Sequence, residues 1–99
     1  MLLIVGTVRL PADHLDEARP IMARMMAASR AEPGCMEYAY AEDVVDRGLI
    51  HVKERWTDRA ALTDHFNSDH IFEWRKAWPS LGIGDRDLSL YEVGEPQPT

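Results

Sequence analysis

Two histidines flank three helix-capping residue types in "HFNSDHIFEW", residues 65 to 74. Neutral imidazole can take a proton from a weakly acidic substrate near pH 7, so His65 and His70 are candidates for general-base work. On an unbroken helix their five-residue separation is about 500° of rotation, which would point the rings roughly 140° apart. Asn67, Ser68 and Asp69 are all capping types, so the stretch predicts a helix that stops and restarts, with both rings facing one space. A carboxylate is the natural companion of such a base. Glu54 alternates with Ile50, Val52 and Trp56 in "LIHVKERW", which puts it on an apolar strand face. A carboxylate there needs a partner. It orients a base or binds a substrate hydroxyl in one reading, and makes an ion pair at a strand edge in the other.

Aromatic residues surround these groups. Trp74 and Trp78 follow His70 at helical spacing, and Phe66 adjoins His65. Tyr38, Tyr40 and Tyr91 offer phenol hydroxyls, although packing in strands is the better account of at least two of them. A 2-His-1-carboxylate metal set would draw its carboxylate from Glu54 or Asp69. His-x4-His matches no common metal motif, so no metal is expected. Cys35, the single cysteine, excludes an intramolecular disulfide and reads as structural. No glycine-rich phosphate loop, dinucleotide fingerprint or G-x-S-x-G is present, so nucleotide and nicotinamide chemistry find no support.

The elements that must position these residues follow from periodicity. "LLIVGTV" is a short β-branched run and reads as a buried strand. Leu15, Ala18, Met22, Met25, Met26 and Ser29 then recur at helical spacing, with Asp13 or Asp16 as the cap and Pro33-Gly34 as the stop. Pro20 is expected to kink or delay that helix. "CMEYAYAE" alternates, with Met36, Tyr38 and Tyr40 on one face, and pairs with 49–56 through a polar turn. Thr57 or Asp58 caps the next helix, which breaks at 67–69, restarts, and is expected to end at Trp78-Pro79. A glycine-containing connector, "SLGIGDRD", leads to a last strand over 88–95.

The order β-α-β-β-α-β is the ferredoxin-like α+β plan, an antiparallel sheet with helices on one face. Residues 1–95 are expected to form a single domain and 96–99 a frayed, disordered tail. The first strand is apolar on both faces, Leu3 and Val5 against Leu2 and Ile4. Something must cover the second face, and a homodimer packed sheet against sheet is the expectation. With 99 residues there is apolar surface for one core. The net charge of −6, without a basic stripe, argues against nucleic acid or an anionic membrane as partner. The apolar start is too short for a signal peptide or a spanning helix, so a cytoplasmic location is the default expectation.

The stretches "SRAEPGCMEYAYAED", "ERWTDRAALTDHFNSDH" and "SLYEV" together resemble the antibiotic biosynthesis monooxygenase (ABM) domain family, including its quinol monooxygenase-like members. The resemblance runs from the first strand to Val93. It implies a dimeric α+β barrel with a pocket between sheet and helices. It also implies oxygenation of an electron-rich quinol or polyphenol by O2 as cosubstrate, with no flavin, haem or metal. Deprotonation of such a substrate gives an anion that itself reduces O2, so a base, an apolar pocket and polar anchors suffice.

Carried over by position, His65 and His70 match the family's paired histidines, and Glu54 and Trp56 its "ExW" strand end. His65 is then the expected base, with His70 and Glu54 orienting it or the substrate. Tyr38, Trp56, Phe66, Trp74 and Trp78 would wall the pocket. Haem-degrading relatives differ: this chain has His65 where they carry a tryptophan, Arg75 where they carry the iron-ligating histidine, and Gly6-Thr7 in place of an asparagine. Those departures argue against haem breakdown. Two other functions suit the same residues: a non-catalytic dimer holding an aromatic or acyl ligand, and an isomerase or lyase using His65 without O2.

Overall fold

Strand β1 (Leu2–Arg9) lies in the middle of the sheet of a computed structural model that describes residues 1–99. A short 3-10 turn leads into α1 (Leu15–Arg30). Strands β2 (Cys35–Glu42) and β3 (Leu49–Trp56) follow, then α2 (Arg59–Phe66), α3 (Asp69–Leu81) and β4 (Gly84–Glu92). The sheet order is β2-β3-β1-β4, antiparallel throughout. This is the expected ferredoxin-like arrangement. It follows from alternation in the strands: Leu2, Ile4 and Val8 of β1 and Ile50, Val52, Glu54 and Trp56 of β3 all turn inward and are buried. From α1, Leu15, Ala18, Met22, Met25 and Ser29 meet them at the predicted spacing.

The helix break is where the capping residues placed it. Helix α2 ends at Phe66, Ser68 takes extended geometry (φ −78°, ψ 152°), and α3 starts at Asp69. At the other end of α2, the Asp58 carboxylate accepts from the Ala61 N–H at 2.9 Å, as a helix cap should.

Four local expectations are corrected. Neither Asp13 nor Asp16 caps α1: His14 holds that position without a side-chain bond, because the 3-10 turn already docks the chain and the His14 ring binds the Leu81 carbonyl oxygen at 2.8 Å. Helix α3 does not end at Trp78. Pro79 sits in its last turn, where the missing donor costs one bond, and fully buried Leu81 holds that turn down before Gly82 (φ 72°) terminates it. Met36 leaves the inner face because β2 bulges between Cys35 and Glu37, so its side chain is 44 % exposed. Finally, much of the expected connector is strand. Gly84 pairs with Arg9 and Asp87 with Thr7, so only Gly82 and Ile83 link α3 to β4.

On the outer face, Leu3 and Val5 are half-buried and Tyr91, opposite Leu3, is 51 % exposed. No helix is long and apolar enough to cross a membrane.

Candidate functional site

The loop between α1 and β2 places the group that unites the two histidines. Glu32 N–H donates to the Ser29 carbonyl and Cys35 N–H to the Glu32 carbonyl, which folds "AEPG" into a tight turn. Gly34 then adopts φ +84° and lies so close to α2 that a Cβ there would stand 2.6 Å from Ala61 Cβ and 2.7 Å from Thr57 Oγ1. Thr57 N–H closes the contact by donating to the Gly34 carbonyl at 2.9 Å. Only glycine fits this approach. Its result is that the Glu32 side chain lies directly over the α2–α3 junction.

There Glu32 Oε2 is 2.6 Å from His65 Nδ1 and 2.9 Å from His70 Nε2. A carboxylate oxygen only accepts, so each imidazole presents an N–H to it, and that fixes both tautomers. The ring centroids are 5.9 Å apart. Ser68 supports the junction: its hydroxyl donates to the His65 carbonyl at 2.6 Å and lies 3.2 Å from His70 Nε2. The break brings both rings onto one carboxylate, but they do not both face one cavity as expected, because His65 is turned into the core.

The rings differ in what lies on their far sides. His65 is 2 % exposed. Its Nε2 points inward, 4.0 Å from Glu54 Oε1, and the ring packs against Trp56 (centroids 4.6 Å) and Tyr38 (5.2 Å). Burial holds its pKa below the ordinary value despite the Glu32 contact. Glu54, 5 % exposed, accepts from the Trp56 indole at 3.0 Å. Burial raises its pKa above the usual carboxyl range, with the Trp56 bond opposing. His70 is half-buried and no protein group bonds its Nδ1. It borders a cavity of about 350 Å³ between α1 and α3, whose wall includes Ile21, Arg24, Met25, Glu73 and Trp74.

The aromatic residues proposed as pocket walls divide accordingly. Tyr38 and Trp56 are buried around His65, at 2 % and 0 % exposure. Trp74 faces the α1–α3 cavity, and its indole N–H has no partner although it is buried. Trp78 stacks under the Arg86 guanidinium at 4.6 Å, and its N–H is likewise unpaired. Phe66 is 44 % exposed, with the Arg75 guanidinium 5.7 Å from its ring.

Glu32 is the residue that sequence reasoning missed. It stands 33 positions before His65 in the chain, in a turn whose only evident signal was a helix stop. The available signal was "EPG" itself, an acidic residue fixed against a proline and a glycine.

The family model described as antibiotic biosynthesis monooxygenase matches residues 1–77. The Synechocystis protein sll1783 is 27 % identical over 96 residues, which cover 97 % of this chain and 65 % of that protein. Rv0793 of Mycobacterium tuberculosis, named as a candidate monooxygenase, is 33 % identical over 63 residues, covering 64 % of this chain and 61 % of Rv0793. The chain thus spans just under two thirds of each of these relatives. Among solved structures, a candidate antibiotic biosynthesis monooxygenase from Deinococcus radiodurans superposes with a TM-score of 0.91 at 26 % identity, over 100 % of this chain and 98 % of that one. PA3566 from Pseudomonas aeruginosa gives 0.79 at 25 % identity, with 97 % and 94 % covered.

Proposed function

The chain belongs to the antibiotic biosynthesis monooxygenase family, and from that premise we propose that it oxygenates a quinol or polyphenol with O2, without a cofactor, as a homodimer. The observation that carries this reading is the shared carboxylate: Glu32 holds two imidazoles in defined tautomers within 2.9 Å. Each ring is left with one unprotonated nitrogen, which is what a general base requires. The α1–α3 cavity is within the size range of small-molecule sites. Trp74 supplies part of its apolar wall.

The surroundings of the two histidines support a division of the base's work between them. His65 faces the core and His70 borders the cavity, so we assign the base to His70 Nδ1, the ring nitrogen without a protein partner. His70 takes the phenolic proton there while Glu32 steadies the imidazolium that forms, and His65 anchors Glu32 from behind. The anion then reduces O2 and a carbon–oxygen bond forms. Loss of water leaves a hydroxyquinone, so quinol plus O2 gives hydroxyquinone plus H2O and all four electrons come from the substrate. Tyr38 and Trp56 pack the His65 ring with Glu54 beyond it, Trp74 lines the substrate side with Trp78 packed edge-on against it, and Phe66 borders the pair from solvent. A second copy over Leu3, Val5 and Tyr91 covers the outer sheet face.

The test is O2 uptake by chelator-treated protein with a panel of reduced naphthoquinols and polyphenols, corrected for autoxidation. The reading expects enzyme-dependent uptake that is lost in His70→Ala and His65→Ala and retained in His51→Ala. Absence of uptake across the panel overturns it. A product formed anaerobically would instead show an isomerase or lyase, and a co-purified ligand without turnover a binding module.

A further inference from the structure

We propose that Glu32, His65 and His70 also form a binding site for a divalent first-row transition ion, Zn2+ in the first instance, and that the ion silences the base. The donor atoms Glu32 Oε2, His65 Nδ1 and His70 Nε2 all lie within 4.8 Å of one another. They come from two segments, the turn after α1 and the α2–α3 junction, and each segment is fixed by its own main-chain bonds. One carboxylate and two imidazoles, with positions left for water, are a donor set that suits zinc and its neighbours.

The hydrogen-bonded arrangement is the metal-free form of that site. To admit an ion, the two N–H groups that now meet Glu32 give up those protons, and each ring carries its proton on the opposite nitrogen. Both rings stay neutral, so the exchange needs no net proton release. The donors must spread from 2.6 and 2.9 Å to about 3.4 Å, the separation that zinc–ligand bonds near 2.0–2.1 Å require at a tetrahedral centre.

A further feature favours this assignment over a chance cluster. In the metal-bound tautomer His65 carries its proton on Nε2, which faces Glu54 Oε1 at 4.0 Å. Metal-ligating histidines characteristically donate the other ring N–H to a carboxylate, which fixes the tautomer and strengthens the ligand. At 4.0 Å Glu54 is beyond hydrogen-bond distance, and the shift of the His65 ring that metal binding entails brings Nε2–H onto that carboxylate, which the Trp56 indole holds in place. Glu32 is thus the ligand and Glu54 the orienting group, on opposite sides of one imidazole.

The regulatory half of the proposal rests on the oxygenase reading. A metal on Nε2 of His70 puts the ring's proton on Nδ1, the atom proposed to take the substrate proton. Occupied sites are therefore inactive.

The binding half is tested without turnover. Chelator-treated protein is titrated with Co2+ by visible absorption and with Zn2+ by calorimetry. One equivalent of each is expected, with a Co2+ d–d band that Zn2+ abolishes. Glu54→Leu, which removes the acceptor, should weaken binding by about 10–100-fold, the usual effect of removing an orienting partner. His70→Asn should abolish the band, with folding checked by circular dichroism so that loss of structure is not mistaken for loss of a ligand. Binding that survives His70→Asn but falls in His51→Ala would locate the ion at the surface and overturn the proposal, as would absence of stoichiometric binding. Uptake of O2 by metal-free protein that Zn2+ leaves unchanged would overturn only the silencing. Stoichiometric binding by protein without oxygenase activity would sink the oxygenase reading and leave the site standing.

Discussion

Replacing Glu32 by alanine removes one oxygen on which two side chains depend, and its cost can be worked from their surroundings. The backbone bonds of the turn survive, because they use the Glu32 N–H and carbonyl. His70 loses little: its N–H keeps the Ser68 hydroxyl at 3.2 Å and is within reach of solvent. His65 carries most of the effect. At 2 % exposure its Nδ1–H would be a buried donor without an acceptor, a loss of about 1–3 kcal/mol. One escape exists, which is to move the proton to Nε2 and turn it on Glu54 Oε1, 4.0 Å away. Closing that gap to hydrogen-bond distance requires the ring to shift within a packed aromatic cage.

The expected destabilisation is therefore about 1.5–2.5 kcal/mol, read by urea denaturation. It should be accompanied by a change of the His65 tautomer from Nδ1–H to Nε2–H, read by nitrogen NMR of the imidazole. Glu32→Gln keeps an oxygen that can accept both N–H groups and loses only the charge assistance. It should cost less, about 1 kcal/mol, and leave the tautomer unchanged. A Glu32→Ala protein within about 0.5 kcal/mol of the parent, with the His65 tautomer unmoved, would refute the claim that this carboxylate organises the site.

Gly34→Ala should destabilise by about 2–4 kcal/mol, summing a left-handed backbone penalty with overpacking against α2. Gly94→Ala, where a Cβ meets nothing within 4 Å, should stay within about 0.5 kcal/mol in the same urea series. Equal effects at the two glycines would dismiss the close approach. Asp43 accepts from the His51 ring and from the Val45 and Asp46 N–H groups, which hold its carboxyl down at about 2. A depressed folded-state value stabilises above the unfolded value, near 3.8, and that contribution is lost as pH falls towards 2. Carboxyl NMR should find the low titration in the parent and a higher one in His51→Ala, and an ordinary value in the parent would contradict the turn's geometry. Leu3→Lys replaces an apolar side chain between Tyr91 and Arg55 on the outer face with a cation. Sedimentation should show dimer in the parent and monomer in the variant, and a monomeric parent would remove the proposed dimer.

How much of this was legible in the sequence depended on the range over which each signal acts. The helix break was readable because Asn67, Ser68 and Asp69 compete locally with the helix for backbone bonds. The inward turn of Glu54 was readable because strand alternation is local too. Met36 deceived because a bulge adds one residue to one strand, and nothing in "CMEYAYAE" marks where the alternation slips. Pro79 deceived because the rule for residues before proline states a tendency. Tertiary burial of Leu81 outweighs it in the last turn of α3.

Glu32 shows a deeper reason why a site can be half legible. Its turn is written locally, in a proline and a glycine, but its meaning lies in what the glycine allows α2 to approach. The same sequence signal, a helix stop, would stand there whether or not residue 32 reached a histidine. What distinguishes the cases is the 2.6 Å gap between the position of a missing Cβ at Gly34 and Ala61, a contact between chain segments that periodicity does not encode. That glycine brings the turn close enough for one carboxylate to hold both rings. The fold family fixes the platform of sheet and helices. The pairing of His65 with His70 through Glu32 rests on that contact, because without it no carboxylate joins the two rings at the helix junction.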